Sequence, residues 1–165
     1  MRAPFENLEK LEYSPFIPED EQDSRLRQEL PALVGHQIPP GFLDFIRMFP
    51  NTGMFDAGTV VVEGIERFTG NDDGTYLVNM LFASCADERY DLLEIARRPP
   101  YECSPPRYLL QIGDDGGGNS FCLDLRPETF GRVLYWDQEV CSEKSGMHLV
   151  SRDFASFVEA LRLVP

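Results

Sequence analysis

The sequence predicts a single α+β domain, in which a mostly antiparallel sheet with a C-terminal three-stranded meander is packed by about four helices. Three observations predict this fold class. The chain has 165 residues, of which 42% are hydrophobic, and such a chain can bury one core of its own. Residues 107–137 hold three short apolar runs that are separated by turn sequences. Four other segments repeat apolar residues at the spacing of a helix.

Residues 107–137 form the best-defined part of the predicted sheet. Each apolar run alternates its side chains with the two-residue period of a strand, so one face is apolar in all three runs. The connections GDDGGGN and RPETFG contain residues that turn a chain at low cost, as hairpins require. Tyr135 and Trp136 are neighbours in the third run, so we expect one to pack inward and the other to face out. A core or rim role for Trp136 is favoured over a binding role.

The N-terminal part of the chain predicts an arm and two helices. Residues 1–18 contain several prolines and no sustained period, which favours an irregular arm before a domain over 19–165. The acids of PEDEQD favour a helix from Glu19, which Pro31 should kink or divide and Gly35 should end. Pro39 and Pro40 open a second helix with four apolar residues on one face, and Pro50 stops it.

The middle and the end of the chain predict further strands and helices. Thr59–Val62 and Thr75–Phe82 are expected to be strands, because they are rich in β-branched and aromatic residues between turn signals. The segment 87–98 has acids at its start and arginines at its end, as a helix dipole favours, and the proline-rich stretch 99–106 follows it. After a polar loop, Asp153–Val164 predicts a last helix with Ser151 as its N-cap.

The four cysteines and the apolar runs predict a cytoplasmic protein. Cys85, Cys103, Cys122 and Cys141 lie 18 to 19 residues apart without a paired spacing, which favours reduced thiols. No apolar run approaches the roughly 20 residues of a membrane span. The acidic start MRAPFENLEK does not have the pattern of a signal peptide.

The charge balance limits the classes of partner. The chain has 28 acidic and 15 basic residues, a net charge of −13. A nucleic acid is a poor partner for such a chain, since binding it requires Lys and Arg to neutralise phosphates. A basic protein is a good partner, because opposite surface charge accelerates association. An acidic surface that serves solubility alone remains the alternative reading of the composition.

The motifs of common active sites and cofactor sites are missing from the sequence. The run GDDGGG lacks the spacing and the Lys-Ser/Thr of a phosphate loop, so a tight turn is the favoured interpretation. Calcium binding by Asp114, Asp115 and Asn119 remains an alternative, although the spacing of an EF-hand loop is missing. His36 and His148 have no second ligand at the spacing of a zinc site. We therefore expect no cofactor, no metal and no catalytic residues, and leave open only an active site assembled by the fold.

A resemblance to a known family covers roughly residues 20–163. Its features occur in order as IP with two following phenylalanines, an N-x-G turn, the stretch from Pro106 to the glycine turn, an LDL strand and a final G-x-V-x-x-x-D. In this sequence they are Ile38, Pro39, Phe42, Phe45, 51–53, 106–113, 115–119, 123–125, Gly131, Val133 and Asp137. This order resembles the SUKH superfamily. Two departures fall at turns: Thr52 stands where the family has glycine, and the glycine turn has one extra glycine.

The resemblance implies an α+β fold in which helices pack on a mixed sheet. It also implies stoichiometric binding of a protein partner, because many bacterial members are immunity proteins against toxins and others are regulatory adaptors. A cognate toxin is the expected partner, and a basic nuclease would fit the acidic surface. No catalytic residues are carried over from the family. The oligomeric state does not follow from the sequence.

Exposed acids and an aromatic on turns or strand ends are the predicted partner-binding residues. They are Asp72, Asp73, Asp114, Asp115, Trp136 and Asp137. Three hypotheses follow: an immunity-type binder, a regulatory or scaffolding adaptor of the same fold, and an enzyme with a fold-assembled site. A pocket with convergent polar groups would favour the enzyme.

Overall fold

Two antiparallel sheets and five helices make up the described part of the chain. The structure is a computed structural model, and it describes residues 5–17, 25–67 and 73–165. Its helices are α1 (Glu6–Lys10), α2 (Arg25–Val34), α3 (Pro40–Met48), α4 (Leu92–Arg97) and α5 (Phe154–Glu159). Its strands are β1 (Tyr13–Pro15), β2 (Gly53–Phe55), β3 (Val60–Glu63), β4 (Thr75–Val78), β5 (Met80–Leu81), β6 (Leu109–Asp114), β7 (Ser120–Asp124), β8 (Val133–Trp136), β9 (Met147–Ser151) and β10 (Arg162–Leu163).

The larger sheet contains the predicted meander at its centre. Seven strands follow the order β1-β2-β5-β6-β7-β8-β9, and a smaller sheet has the order β10-β3-β4. The pairs β6–β7 and β7–β8 are antiparallel, as the alternation in residues 107–137 predicts. The described strand pairs are antiparallel, and parallel contacts occur there only as two isolated bridges. The α+β fold class is therefore confirmed.

Both faces of the meander are buried, so the prediction of one apolar face was incomplete. The inner face contributes to the main core together with α2, α3 and α5. The outer face is a second apolar cluster, made by Leu109, Cys122, Leu134 and Trp136, whose exposed fractions are 7% or less. Tyr135 and Trp136 are both buried, because each face of β8 is covered. The expectation that one of them faces out is wrong.

The helix predictions hold best where proline starts the helix. Pro40 lies at the start of α3, and Phe42 and Phe45 are completely buried on its inner face. Helix α2 runs through Pro31 without a break in its assignment, and Gly35 follows it with a φ of 68°. The predicted start near Glu19 lies outside the described residues.

Two of the predicted helices are shorter than expected, and aspartate side chains cap their N-termini. Segment 87–98 forms a 3₁₀ turn, Glu88–Tyr90, and then α4, because the Asp91 carboxylate accepts a bond from the Glu94 N–H and starts a new helix. Asp153, and not Ser151, caps α5 by accepting from the Ser156 N–H at 2.7 Å. Helix α5 ends at Glu159, and the chain continues as β10, which pairs with β3.

Two further predictions fail because pairing partners are distant in the sequence. The expected strand Thr75–Phe82 divides at Asn79, whose N–H donates to the Asp114 carbonyl, so that β4 and β5 join different sheets. In the stretch expected to be an irregular arm, α1 and β1 are ordered elements. Leu8 is completely buried, and β1 forms an edge strand on β2, where Pro15 is tolerated. The domain boundary at residue 18 stays a prediction.

The expectation of four reduced thiols is wrong for two of them. Cys103 and Cys141 form a disulfide across 38 positions, with their Cα atoms 4.8 Å apart. Cys85 and Cys122 lie outside it. Sequence spacing did not reveal the pair, because the fold brings two loops together on the outer face. None of the helices in the described part of the chain is long and apolar enough to span a membrane.

We predict that Gly113→Ala destabilises the protein, whereas Gly117→Ala does not. A Cβ atom at Gly113 would lie 2.5 Å from the Met80 carbonyl oxygen of the adjacent strand. The backbone of a paired strand cannot move away without a loss of stability. A loss of about 2 kcal/mol in unfolding free energy is expected, as for other overpacked sites. Urea unfolding measures it. At Gly117 a Cβ would meet the Asp115 carboxylate only at 3.5 Å, so an equal loss in both variants would contradict the reasoning.

Candidate functional site

The meander brings four of the predicted site residues to one end of the larger sheet. Asp114 is opposite Ser120, and Ser120 is opposite Trp136, so the three residues form a row across β6, β7 and β8. Asp115 and Asp137 follow directly in the chain. We call Asp114, Asp115, Asp137 and the exposed Glu139 the acidic end.

Asp115 organises the glycine turn between β6 and β7. One of its carboxylate oxygens accepts from the Gly117 N–H at 2.8 Å and from the Asn119 N–H at 3.1 Å. The other accepts from the Asn119 amide and from the Tyr135 hydroxyl, both at 2.8 Å. Burial raises the pKa of Tyr135, and the bond to Asp115 raises it further. These donors are neutral, so they fix the turn without forming an ion pair.

Asp114 connects the two sheets. Its carboxylate accepts from the Asn79 amide at 3.0 Å, at the point where the chain passes from β4 to β5. The same oxygen accepts from the Gly116 N–H at 3.2 Å. Burial raises the pKa of Asp114, and the nearby charge of Asp115 raises it further, against the two hydrogen bonds. This pair thus places crowded negative charge at the strand end.

Asp137 starts the turn that follows β8. Its carboxylate accepts from the Glu139 N–H at 2.9 Å and from the Val140 N–H at 3.3 Å. The next residue, Gln138, donates its N–H to the Asn119 side-chain oxygen at 3.1 Å. The turn after β8 and the glycine turn are therefore bonded to each other, and the acidic end is a preformed surface.

Trp136 supports this surface from below. Its side chain is only 3% exposed, and its indole N–H donates to the Cys103 carbonyl at 2.8 Å. Burial of this kind gives the residue a structural role in the described conformation. A large aromatic with a satisfied polar atom is typical of a core position.

The two predicted residues of the β3–β4 connection lie elsewhere. Asp73 is exposed at the start of β4, and Asn79 marks the other end of that strand next to the acidic end. The Asp73 carboxylate accepts from the Thr75 N–H at 3.0 Å and the Thr75 hydroxyl at 2.7 Å, and these bonds lower the pKa of Asp73. Asp72 lies outside the described residues.

Sequence reasoning missed the exposed side chains that flank the disulfide. Val140 is 47% exposed beside Glu139, and Tyr101 is 55% exposed beside Glu102. Each pair is carried by one of the loops that the disulfide joins. The only signal in the sequence was the presence of Cys103 and Cys141 in otherwise polar or proline-rich connections.

The described residues do not assemble a metal site or an acid–base pair in a pocket. Over 5–17, 25–67 and 73–165, no group of three His, Cys, Asp or Glu side chains could hold a metal ion. A groove of about 130 Å³ lies between α2, α4, the proline-rich stretch and β6. Its described lining is apolar with Arg98, Arg107 and a few neutral polar groups, and carries no carboxylate, imidazole or thiol. This lining does not favour the hypothesis of a fold-assembled active site.

Asp124 of the LDL motif is a structural residue. It is 1% exposed, and its carboxylate accepts from the Arg126 N–H, the Arg126 guanidinium and the Thr129 hydroxyl at 2.6 to 3.1 Å. Burial by itself raises the pKa of Asp124, but these bonds together hold it below the ordinary value. Hydrogen bonds to this one buried carboxylate therefore hold the β7–β8 connection in place.

Comparison with known proteins identifies the family. The model of the SMI1 / KNR4 family (SUKH-1) matches residues 24–160. This chain belongs to that family. The resemblance seen in the order of the motifs is confirmed, and SUKH domains are generally non-catalytic immunity or regulator-like modules.

A curated relative is also similar over most of this SUKH chain. It is the SPbeta prophage-derived uncharacterized protein YokK of Bacillus subtilis (strain 168). The two are 25% identical over 143 residues, which cover 81% of this chain and 71% of the relative. No solved structure matches the chain.

We predict that Asp124→Asn lowers the unfolding free energy at neutral pH by about 3 kcal/mol, since it removes a buried, charge-bonded acceptor. Because the folded-state pKa is below the unfolded one, the carboxylate stabilises the fold above the unfolded pKa and loses this effect as pH falls through the folded pKa. The difference in unfolding free energy between wild type and variant should therefore decrease as the pH falls below 3.8, the ordinary pKa of an aspartate. Urea titrations at neutral and acid pH measure it.

Asp87→Asn is the matched control for this prediction. Asp87 accepts the same three bonds from Arg89, at the same distances of 3.0, 3.1 and 2.7 Å, but it lies at the surface. Solvent screens an exposed pair, so its loss should be much smaller. The role given to Asp124 would be refuted if both variants lost the same unfolding free energy. It would also be refuted if the loss in Asp124→Asn did not depend on pH.

Proposed function

We propose that this protein is an immunity protein that neutralises a cognate toxin by stoichiometric binding, without catalysis. The proposed docking site is the acidic end, and the proposed toxin is basic, as a nuclease would be. Cytoplasmic action is part of the proposal. Family membership and the net charge of −13 support it.

A cluster of acids without ion pairs carries the proposal. Over residues 5–17, 25–67 and 73–165, six ion pairs involve acids on helices and turns elsewhere, which are Glu6, Glu29, Asp44, Asp87, Glu94 and Asp124. Within the described ranges, no residue of the acidic end forms an ion pair. Exposed acids without an ion pair also occur elsewhere in the described residues, such as Glu88, Glu102 and Glu128, but the acidic end carries four acids on two turns that are bonded to each other.

The arrangement supports recognition in two stages. The net negative potential first attracts a basic surface and raises the rate of encounter. Contact then uses preformed turns, so little conformational entropy is lost on binding. Val140, exposed beside Glu139, supplies apolar area next to the charges. Asp72 and Asp73 stay a second, separate contact in the proposal, and Trp136 contributes by holding the surface from below.

We predict that Glu139→Lys weakens protection against the cognate toxin, for which a toxin-like product of a neighbouring gene is the candidate to test. The substitution reverses the most exposed charge of the acidic end. Growth of cells that co-express the toxin with wild type or variant measures protection. Survival that does not depend on the wild-type protein would refute the immunity function. Binding of another host protein without rescue would support the adaptor instead.

Glu128→Lys is the matched control. Glu128 is exposed in the β7–β8 connection, at the opposite end of the meander, and the substitution changes the net charge equally. It should protect as well as wild type. Equal loss in both variants would mean that overall charge matters and the acidic end does not.

We also predict that association with the toxin slows as salt rises. Screening shortens the reach of surface charge to about 8 Å at physiological ionic strength. Stopped-flow rates should fall by about tenfold or more between low and high salt, within the range of steered association. Glu139→Lys should flatten this dependence more than Glu128→Lys does. A rate independent of salt would exclude electrostatic steering.

A further inference from the structure

The outer face of the meander is covered by loops, whereas the inner face is covered by helices. Leu109, Cys122, Leu134 and Trp136 form a cluster separate from the main core, with Tyr108, Met147 and Leu149 packed at its border. The covering loops are residues 99–106, which precede β6, and residues 137–146, which follow β8. They contain no described helix or strand.

A few contacts hold the covering loops in place. The Cys103 carbonyl accepts from the Trp136 indole at 2.8 Å. The Tyr108 hydroxyl donates to the Glu143 carboxylate at 2.8 Å. This second bond is exposed, and exposed polar contacts contribute little. The Cys103–Cys141 disulfide is the one covalent link between the loops in the described structure.

The backbone at both cysteines is in the left-handed region. Cys103 has a φ of 68° and Cys141 a φ of 55°, and they are two of the four described non-glycine residues with positive φ. Such conformations are disfavoured for residues with a side chain and persist where the surroundings impose them. The disulfide is the constraint that both residues share. Its reduction therefore permits each loop to relax away from the outer face.

We propose that the Cys103–Cys141 disulfide is a redox-operated clasp that controls exposure of the outer face of the meander. In the oxidised state the loops cover Trp136 and Cys122. In the reduced state the loops separate and the apolar cluster becomes accessible to solvent and to partners. This inference does not depend on the immunity function or on the identity of a toxin.

The chemistry is a thiol–disulfide exchange with a low-molecular-weight thiol. A thiolate of the reductant attacks one sulfur of the pair, the S–S bond breaks, and a mixed disulfide forms. A second reductant thiol releases it. Two electrons pass from the reductant, which ends as its own disulfide, and its two protons end on the Cys103 and Cys141 sulfurs. A reducing cytoplasm supplies such thiols.

Cys122 and Trp136 are built-in reporters of the clasp. Trp136 is the single tryptophan of the chain, so fluorescence reads this site alone. Cys122 is completely buried in the same cluster, and burial raises the pKa of its thiol, so it does not react while the cover is closed. Cys85 is half-buried and distant in the sequence, and serves as the reference thiol.

The test compares oxidised and dithiothreitol-reduced protein under native conditions. Reduction should shift the Trp136 emission to longer wavelength, raise its quenching by acrylamide several-fold, and let iodoacetamide modify Cys122, as peptide masses show. Far-UV circular dichroism should stay unchanged, which separates opening from unfolding. Reoxidation of protein that has not been alkylated should restore the Trp136 emission and its low quenching, and should again protect Cys122 from iodoacetamide.

Two variants sharpen the result. Cys103→Ser combined with Cys141→Ser should be open with or without reductant, and Cys85→Ser should behave as wild type. If the double variant does not fold, the reduction and reoxidation of wild type decide the question. Alkylation of Cys103 and Cys141 without any change at Trp136 and Cys122 would overturn the proposal. So would peptide masses that show no Cys103–Cys141 bond in air-oxidised protein.

Discussion

Burial of both faces of the β6–β7–β8 meander is the constraint on which the rest of the structure depends. The inner face carries Phe121, Leu123 and Val133, and the outer face carries Cys122 and Trp136, so neither face can be left in water. Helix α4 packs against β6, Phe157 of α5 packs against Phe121, and α2 and α3 complete the same core. Two loops joined by a disulfide lie over the outer face. The two faces of the meander therefore differ, with helices packed on the inner face and loops on the outer face.

The residues that mark the family serve this geometry. Gly113 allows β5 to approach β6 closely, Asp115 fixes the glycine turn, and Asp124 closes the β7–β8 connection. Thr52, which departs from the family pattern, is buried and donates its hydroxyl to the Tyr90 carbonyl at 2.7 Å. These positions hold the scaffold together, so membership of the SUKH family establishes the fold. In the proposed function Asp115 has a second role, because it also belongs to the acidic end.

Charge is distributed in a way that separates stability from recognition. Acids on the helices, such as Glu29 and Glu94, are paired with Arg97. At the end of the meander, Asp114, Asp115 and Asp137 accept hydrogen bonds from neutral donors. A hydrogen bond from a backbone N–H orients a carboxylate without cancelling its field at long range. The same turns can therefore be rigid and negatively charged, which suits the proposed docking of a basic protein.

The sequence alone determined the local features: the three strands of the meander, the helix that begins at Pro40, the turn chemistry of GDDGGG, and the family to which these belong. Their periods and turn residues are written within about ten consecutive positions. Tertiary structure alone decided the features that join distant positions. It divided Thr75–Phe82 between two sheets, turned Arg162–Leu163 into a strand on β3, buried Trp136, and paired Cys103 with Cys141. Each of these depends on which segment lies opposite, and local sequence does not encode that neighbour.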